Sequence, residues 1–137
     1  MLELPDTSSS LVLRTDYSDP AGWREMRRRI EAVSDEGFRA QVAYFDDDRL
    51  AGALFEDLIA LVRRGPFRTF FFVVDGETVE HTEHPVLVVD LHEEPGRTFR
   101  VVPAQMWGVE NNLSLSNMDF SEFANNADAD GIFRGFR

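Results

Sequence analysis

Apolar positions along this chain come in short blocks, and the spacing inside the blocks switches between strand-like runs and helical stripes. Residues 11–17 mix Leu, Val, Thr and Tyr in one run and predict a strand. Asp19 and Pro20 then open a helix, the aspartate as cap and the proline where a missing N–H costs nothing. Trp23, Met26, Ile30 and Val33 follow at spacings of three and four, an apolar stripe ringed by Arg24, Glu25, Arg27, Arg28 and Glu31. Gly37 ends that unit. Residues 38–45 predict a second strand. Asp46, Asp47 and Asp48 cap a second helix with the stripe Leu50, Leu54, Leu58, Leu61 and Val62, closed by Arg63, Arg64, Gly65 and Pro66. Residues 67–75 are apolar on both faces, as suits a central strand covered on both sides.

The rhythm then changes. Asp75–Gly76 and His84–Pro85 bracket a loop or short ribbon before a strand at 86–91. A turn at 94–97 and a strand at 98–102 follow, and so short a connection favours an antiparallel hairpin. Residues 104–109 suit one helical turn. Ser116 or Asn117 caps a last helix running to about 127, with Met118, Phe123, Ala124 and Ala127 on one side. Residues 1–10 read as a loosely ordered lead-in, and 131–137 as a tail rich in Phe and Gly. The fold class expected is α/β in a single domain, 1–137. A β-α-β-α-β portion with parallel, right-handed crossovers leads into an antiparallel hairpin and a C-terminal helix, giving a mixed sheet.

Composition narrows the function classes. A chain of 137 residues with 43% hydrophobic residues can build a core without staples, and the absence of cysteine removes disulfides and Cys-ligated zinc. The first residues lack the basic-then-apolar pattern of a signal peptide, and no apolar run approaches a membrane span, so a cytoplasmic location is expected. The net charge is −11, from 25 carboxylates against 14 cations, and every cation is arginine. Arginine without lysine fits a GC-rich genome. The acidic balance argues against nucleic-acid binding, which needs a cationic face, and favours a basic protein partner.

Several groups carry candidate chemistry. Asp16, Asp46–Asp48 and Asp75 follow the first three strands, and the carboxyl edge of parallel strands is where open α/β sheets bind ligands. Asp16, Asp47 and Asp75 are therefore the candidate metal ligands, for Mg²⁺ in phosphate chemistry. Helix capping and turn formation explain the same residues without a metal. Residues 126–131 match the first half of a calcium loop, but the twelfth position is Arg137 where a glutamate is needed. His81, His84 and His92 are a weak zinc pattern. No Gly-x-Ser-x-Gly, Walker or dinucleotide-binding motif occurs. Residues 106–120 instead place aromatic and amide side chains together, as protein-binding surfaces do, and Trp107, Glu110, Asn111, Asn112 and Asp119 are the candidate partner-binding set.

The phrases at 11–16, 84–91, 94–103, 110–114, 117–120 and 131–136 resemble a family of small acidic proteins from high-GC Gram-positive bacteria that is known only as a domain of unknown function. The resemblance implies a bacterial cytoplasmic origin and assigns no catalytic residue. The expected function is a non-enzymatic protein-binding module, with an immunity-type inhibitor of a basic protein as one form. The alternatives are a Mg-dependent phosphate-handling enzyme or receiver-like domain, and a nucleic-acid mimic.

Overall fold

The computed structural model describes residues 2–136. Six strands form one mixed sheet: β1 (Ser10–Arg14), β2 (Val42–Phe45), β3 (Phe70–Val74), β4 (Val86–Asp90), β5 (Thr98–Val101) and β6 (Ile132–Phe133). Their order across the sheet is β2-β1-β3-β4-β5-β6. β1 pairs in parallel with β2 and β3, β4 runs antiparallel to β3 and β5, and β6 lies parallel to β5. The α/β class and the mixed sheet are as expected, with five α-helices among the described residues.

Strand alternation sends β1 and β3 into two cores. Val12, Phe72 and Val74 face α1 (Pro20–Glu31), where Trp23, Met26 and Ile30 are buried. Leu11, Leu13, Phe71 and Val73 face α2 (Phe55–Arg64), where Leu58, Leu61 and Val62 are buried. Both strands are buried at every position because both faces are covered. The chain leaves β1 for β2 over one face and returns to β3 over the other, so the strand order reverses between β1 and β3.

Local chemistry explains most element ends. Asp19 accepts the Gly22 N–H at 3.0 Å and caps α1, with Pro20 first in the helix. Glu56 and Asp57 in the first turn of α2, and Arg63 and Arg64 in its last, complement its macrodipole. Asp90 is 2% exposed and accepts the backbone N–H groups of His92, Glu93 and Glu94, which shapes the β4–β5 turn.

The structure corrects several boundaries. Helix α1 stops at Glu31, so Val33 leaves the stripe and is 61% exposed. β2 starts at Val42 rather than 38, and β3 at Phe70 rather than 67, leaving Phe67 outside the sheet and 87% exposed. Asp47 caps only a 3-10 turn, Asp48–Leu50, and α2 begins later, after Leu54. The loop expected after Asp75 contains a short helix, α3 (Gly76–Glu80), fixed by a capping box between Asp75 and Thr78. Residues 106–114 form a true helix, α4 (Met106–Ser114). The last helix, α5 (Phe120–Ala124), is capped by Asp119, not by Ser116 or Asn117. The tail supplies β6. The lead-in is tied down: Ser10 belongs to β1, and the Arg68 guanidinium donates to the carbonyls of Ser9 (2.6 Å) and Thr7 (2.7 Å).

Candidate functional site

The carboxyl ends of β1 and β3 flank the point where strand order reverses, the usual ligand crevice of such sheets. Here the strand-end carboxylates are stitched into the fold. The Asp16 carboxylate accepts the Ser18 N–H (2.9 Å) and hydroxyl (2.6 Å), forming a local turn. Arg14, 8% exposed, donates to the Asp16 carbonyl at 3.0 Å and to Asp46 at 3.2 Å. Its guanidinium lies 4.0 Å from the Tyr17 ring centroid and 5.0 Å from that of Trp23. Tyr17 donates its hydroxyl to Asp46 at 2.9 Å. Burial first, and then this carboxylate, push the Tyr17 phenol above its ordinary range.

Asp47 accepts the Arg49 guanidinium at 3.0 and 2.7 Å and the Arg49 N–H at 3.0 Å. The guanidinium and that N–H hold the Asp47 carboxyl down at about 2. Asp75 takes two bonds from Arg100, at 3.0 and 2.8 Å, and two from Thr78. Burial alone would raise the Asp75 carboxyl, but Arg100 and Thr78 outweigh it and leave it below the carboxylate range. Arg100 also pairs with Glu77. The three residues read as metal ligands therefore each answer to a different local partner. Among the described residues, no group of three or more His, Cys, Asp or Glu is arranged to hold a metal.

The other metal patterns are likewise absorbed. In the calcium-like loop, Arg134 occupies the cationic place, donating to Asp128 (2.7 Å) and to both oxygens of Asp130 (3.2 and 2.7 Å) while also holding Glu83. Gly131 adopts φ 82° in that turn. His81 accepts the Glu83 N–H, and the His84 ring bonds the Thr78 carbonyl.

The 106–120 set divides. Glu110, 5% exposed, accepts the Ser10 hydroxyl at 2.8 Å and the Gln41 N–H at 2.9 Å, so it pins α4 to β1 and to the entry of β2. Asn112 donates to the Gly108 carbonyl, and its own carbonyl accepts from Asn117 and Met118. Asp119 and Glu122 form the capping box of α5. These three residues build structure. Asn111 is exposed and Trp107 is half-buried.

Trp107 stacks on Phe38 with ring centroids 5.0 Å apart and planes 23° from parallel. Phe38 is 54% exposed, and Val33 stands near it. Two adjoining grooves, of about 660 and 480 Å³, share Val33, Arg39 and Trp107 in their walls. The larger runs between the end of α1 and the start of α4. Its rim carries Arg28, Arg29, Arg39 and Arg134 beside Asp35, Glu36 and Glu83. Arg28 and Arg29 are engaged by Glu25, whose carboxyl they hold at about 2. Arg39 makes no hydrogen bond or ion pair with any described residue. Sequence reasoning missed Val33, Phe38 and Arg39, because it assigned the first to a helix stripe and the other two to a strand. The available signal was Gly37, which separates the helix from a lone Phe followed at once by a charge.

A family model described as a domain of unknown function, DUF6924, matches residues 9–136. The chain belongs to the DUF6924 family. The match begins one residue before β1 and ends beyond β6, so the DUF6924 domain takes in the whole sheet, all five helices and both grooves. No curated protein matches this DUF6924 chain. Among its described residues, no helix is long and apolar enough to cross a membrane.

Proposed function

We propose that this DUF6924 domain is a non-enzymatic protein-binding module whose contact face is the Val33–Phe38–Trp107 groove. The observation that carries the reading is the stack of exposed Phe38 on half-buried Trp107 at the groove wall. Two aromatic rings held against each other lose little side-chain freedom on binding, and such rings inside a polar rim are the usual energetic anchors of interfaces. The net charge of −11 favours a basic partner, because opposite fields steer and accelerate association. An immunity-type inhibitor of a basic protein, in the cytoplasm of a high-GC bacterium, has this profile. The strand-end carboxylates support the non-enzymatic reading, since guanidinium or backbone groups already occupy them.

The test is capture from lysate of the source cell on immobilised wild type and on the Phe38→Ser/Trp107→Ala variant, with circular dichroism confirming that both fold alike. A partner held by wild type should bind the variant at least about thirtyfold more weakly, the loss of roughly 2 kcal/mol or more expected for anchor aromatics. A partner held equally by both proteins, or none held by either, overturns the reading.

A further inference from the structure

The sheet ends at β2, whose outer side is free. Ser10 donates its N–H to the Gln41 carbonyl at 3.2 Å, so the Gln41 carbonyl faces β1. Backbone direction alternates along a strand, so Ala43 and Phe45 also turn their N–H and C=O groups to β1. Val42 and Tyr44 therefore point theirs away from the sheet. No other strand among the described residues pairs beyond β2, and no turn or loop bond reaches those groups. The edge strand is short, at four residues, but it carries no proline, no lysine and no inward charge.

We infer that this edge pairs antiparallel with the same edge of a second copy, joining two sheets across a two-fold axis. Only outward-facing residues exchange N–H···O bonds, which restricts the register. Val42 opposite Tyr44 of the second copy, with Ala43 on the axis, satisfies both pairs at once. Alanine is the small residue such an axis needs.

Charge selects the same arrangement. Three residues before Val42 stands Arg39, exposed and without a partner in its own chain. Just after Phe45 come Asp46, Asp47 and Asp48. Carried beyond the strand ends, that register brings Arg39 toward Asp47 and Asp48 of the second copy; Asp47 is already gripped by Arg49 of its own chain, so the exposed Asp48 is the carboxylate left to meet Arg39. The two-fold repeats the contact at the other end, so a single surface complements itself, as an isologous dimer requires. A parallel pairing would put Arg39 beside Arg39. The long-range repulsion between two chains of net charge −11 is screened beyond about 8 Å at physiological ionic strength, whereas contact pairs at the seam are not.

Sedimentation velocity on the purified protein, from micromolar to near-millimolar concentration, tests this without the lysate partner and so independently of the groove. A reversible monomer–dimer equilibrium is expected. Arg39→Glu or Asp48→Arg should each weaken it by about tenfold or more, and the double exchange Arg39→Glu/Asp48→Arg should restore most of the loss. Amide exchange measured on the dimer should show new protection at Val42 and Tyr44 but not at Ala43 or Phe45, which already bond to β1. A wild type that stays monomeric throughout overturns the inference. So does a dimer indifferent to the charge reversals, or one that leaves exchange at Val42 and Tyr44 unchanged.

Discussion

Replacing Glu110 separates a structural role from a partner-binding one. Its carboxylate is 5% exposed and serves two donors from different parts of the fold, the Ser10 hydroxyl at 2.8 Å and the Gln41 N–H at 2.9 Å. Glu110→Ala removes both bonds and leaves the Gln41 N–H without its acceptor. Hydrogen bonds to a charged group are worth roughly 1.5–3 kcal/mol each, and the variant recovers part of the cost of burying a charge, so a net loss of about 3 kcal/mol is expected. Glu110→Gln keeps an oxygen for Gln41, and its NH₂ meets a serine hydroxyl that can rotate to accept. That variant should lose only about 1 kcal/mol.

Urea unfolding at neutral pH, with a constant slope across the series, measures both. For a chain of this size the alanine variant should also melt lower by roughly 10–15 °C. Equal losses in the two variants would mean that charge, not the pair of bonds, does the holding. An alanine variant within about 0.5 kcal/mol of wild type, with partner capture abolished, would return Glu110 to the binding set and refute the structural assignment.

Two further perturbations test the fold's electrostatics and packing. Because Asp75 has a folded carboxyl below its unfolded value of about 3.9, it stabilises the fold above that pH and loses the contribution as pH falls through the lower folded value. Urea midpoints of wild type should therefore fall more steeply below about pH 4 than those of Asp75→Asn, and parallel curves would refute the Arg100 pairing. Gly22→Ala should destabilise although alanine favours helix by about 1 kcal/mol, because the added Cβ lies 2.6 Å from Val79 Cγ1 and 2.7 Å from the capping carboxylate of Asp19. A raised melting temperature would show that α3 and the cap yield freely.

The parts of the fold legible in the sequence are those whose burial follows a period. β1, β3 and α1 face cores at every expected position up to Ile30. Helix α4 was read as a single turn for a chemical reason. Its buried positions are Met106, Val109, Glu110 and Leu113, an ordinary i, i+3, i+4, i+7 stripe in which one member is a carboxylate. A buried glutamate satisfied by Ser10 and Gln41 breaks a hydrophobic pattern without breaking the helix. α3 rests on one capping box, and β6 is two residues that become a strand only by lying beside β5. Neither leaves a periodic trace. Val33 errs the other way, since it keeps the stripe's spacing past the residue where Ala32 turns extended and ends α1.

The surroundings of the candidate site were illegible for a related reason. Aspartates after parallel strands are visible in a sequence, but their partners are only partly so: Ser18 and Arg49 stand two residues from Asp16 and Asp47, whereas other arginines arrive from far along the chain. Asp46 meets Arg14 from 32 residues away, and Asp75 meets Arg100 from 25. In a chain whose only cations are arginines, pairing of this kind uses planar forks that grip a carboxylate at two points, as Arg100 grips Asp75. Arg39, like Arg24, Arg63 and Arg64, makes no bond or ion pair with a described residue, but it alone of the four lines the aromatic groove. It sits unpaired at the mouth of the aromatic groove and at the start of the free sheet edge, where a second molecule, of either kind proposed, would meet it. On the reading proposed above, the residues that bear on function are among those left over when folding has made its pairs, the Phe38–Trp107 stack and the Arg39 guanidinium beside it, rather than the carboxylates that carry the chain's conspicuous charge.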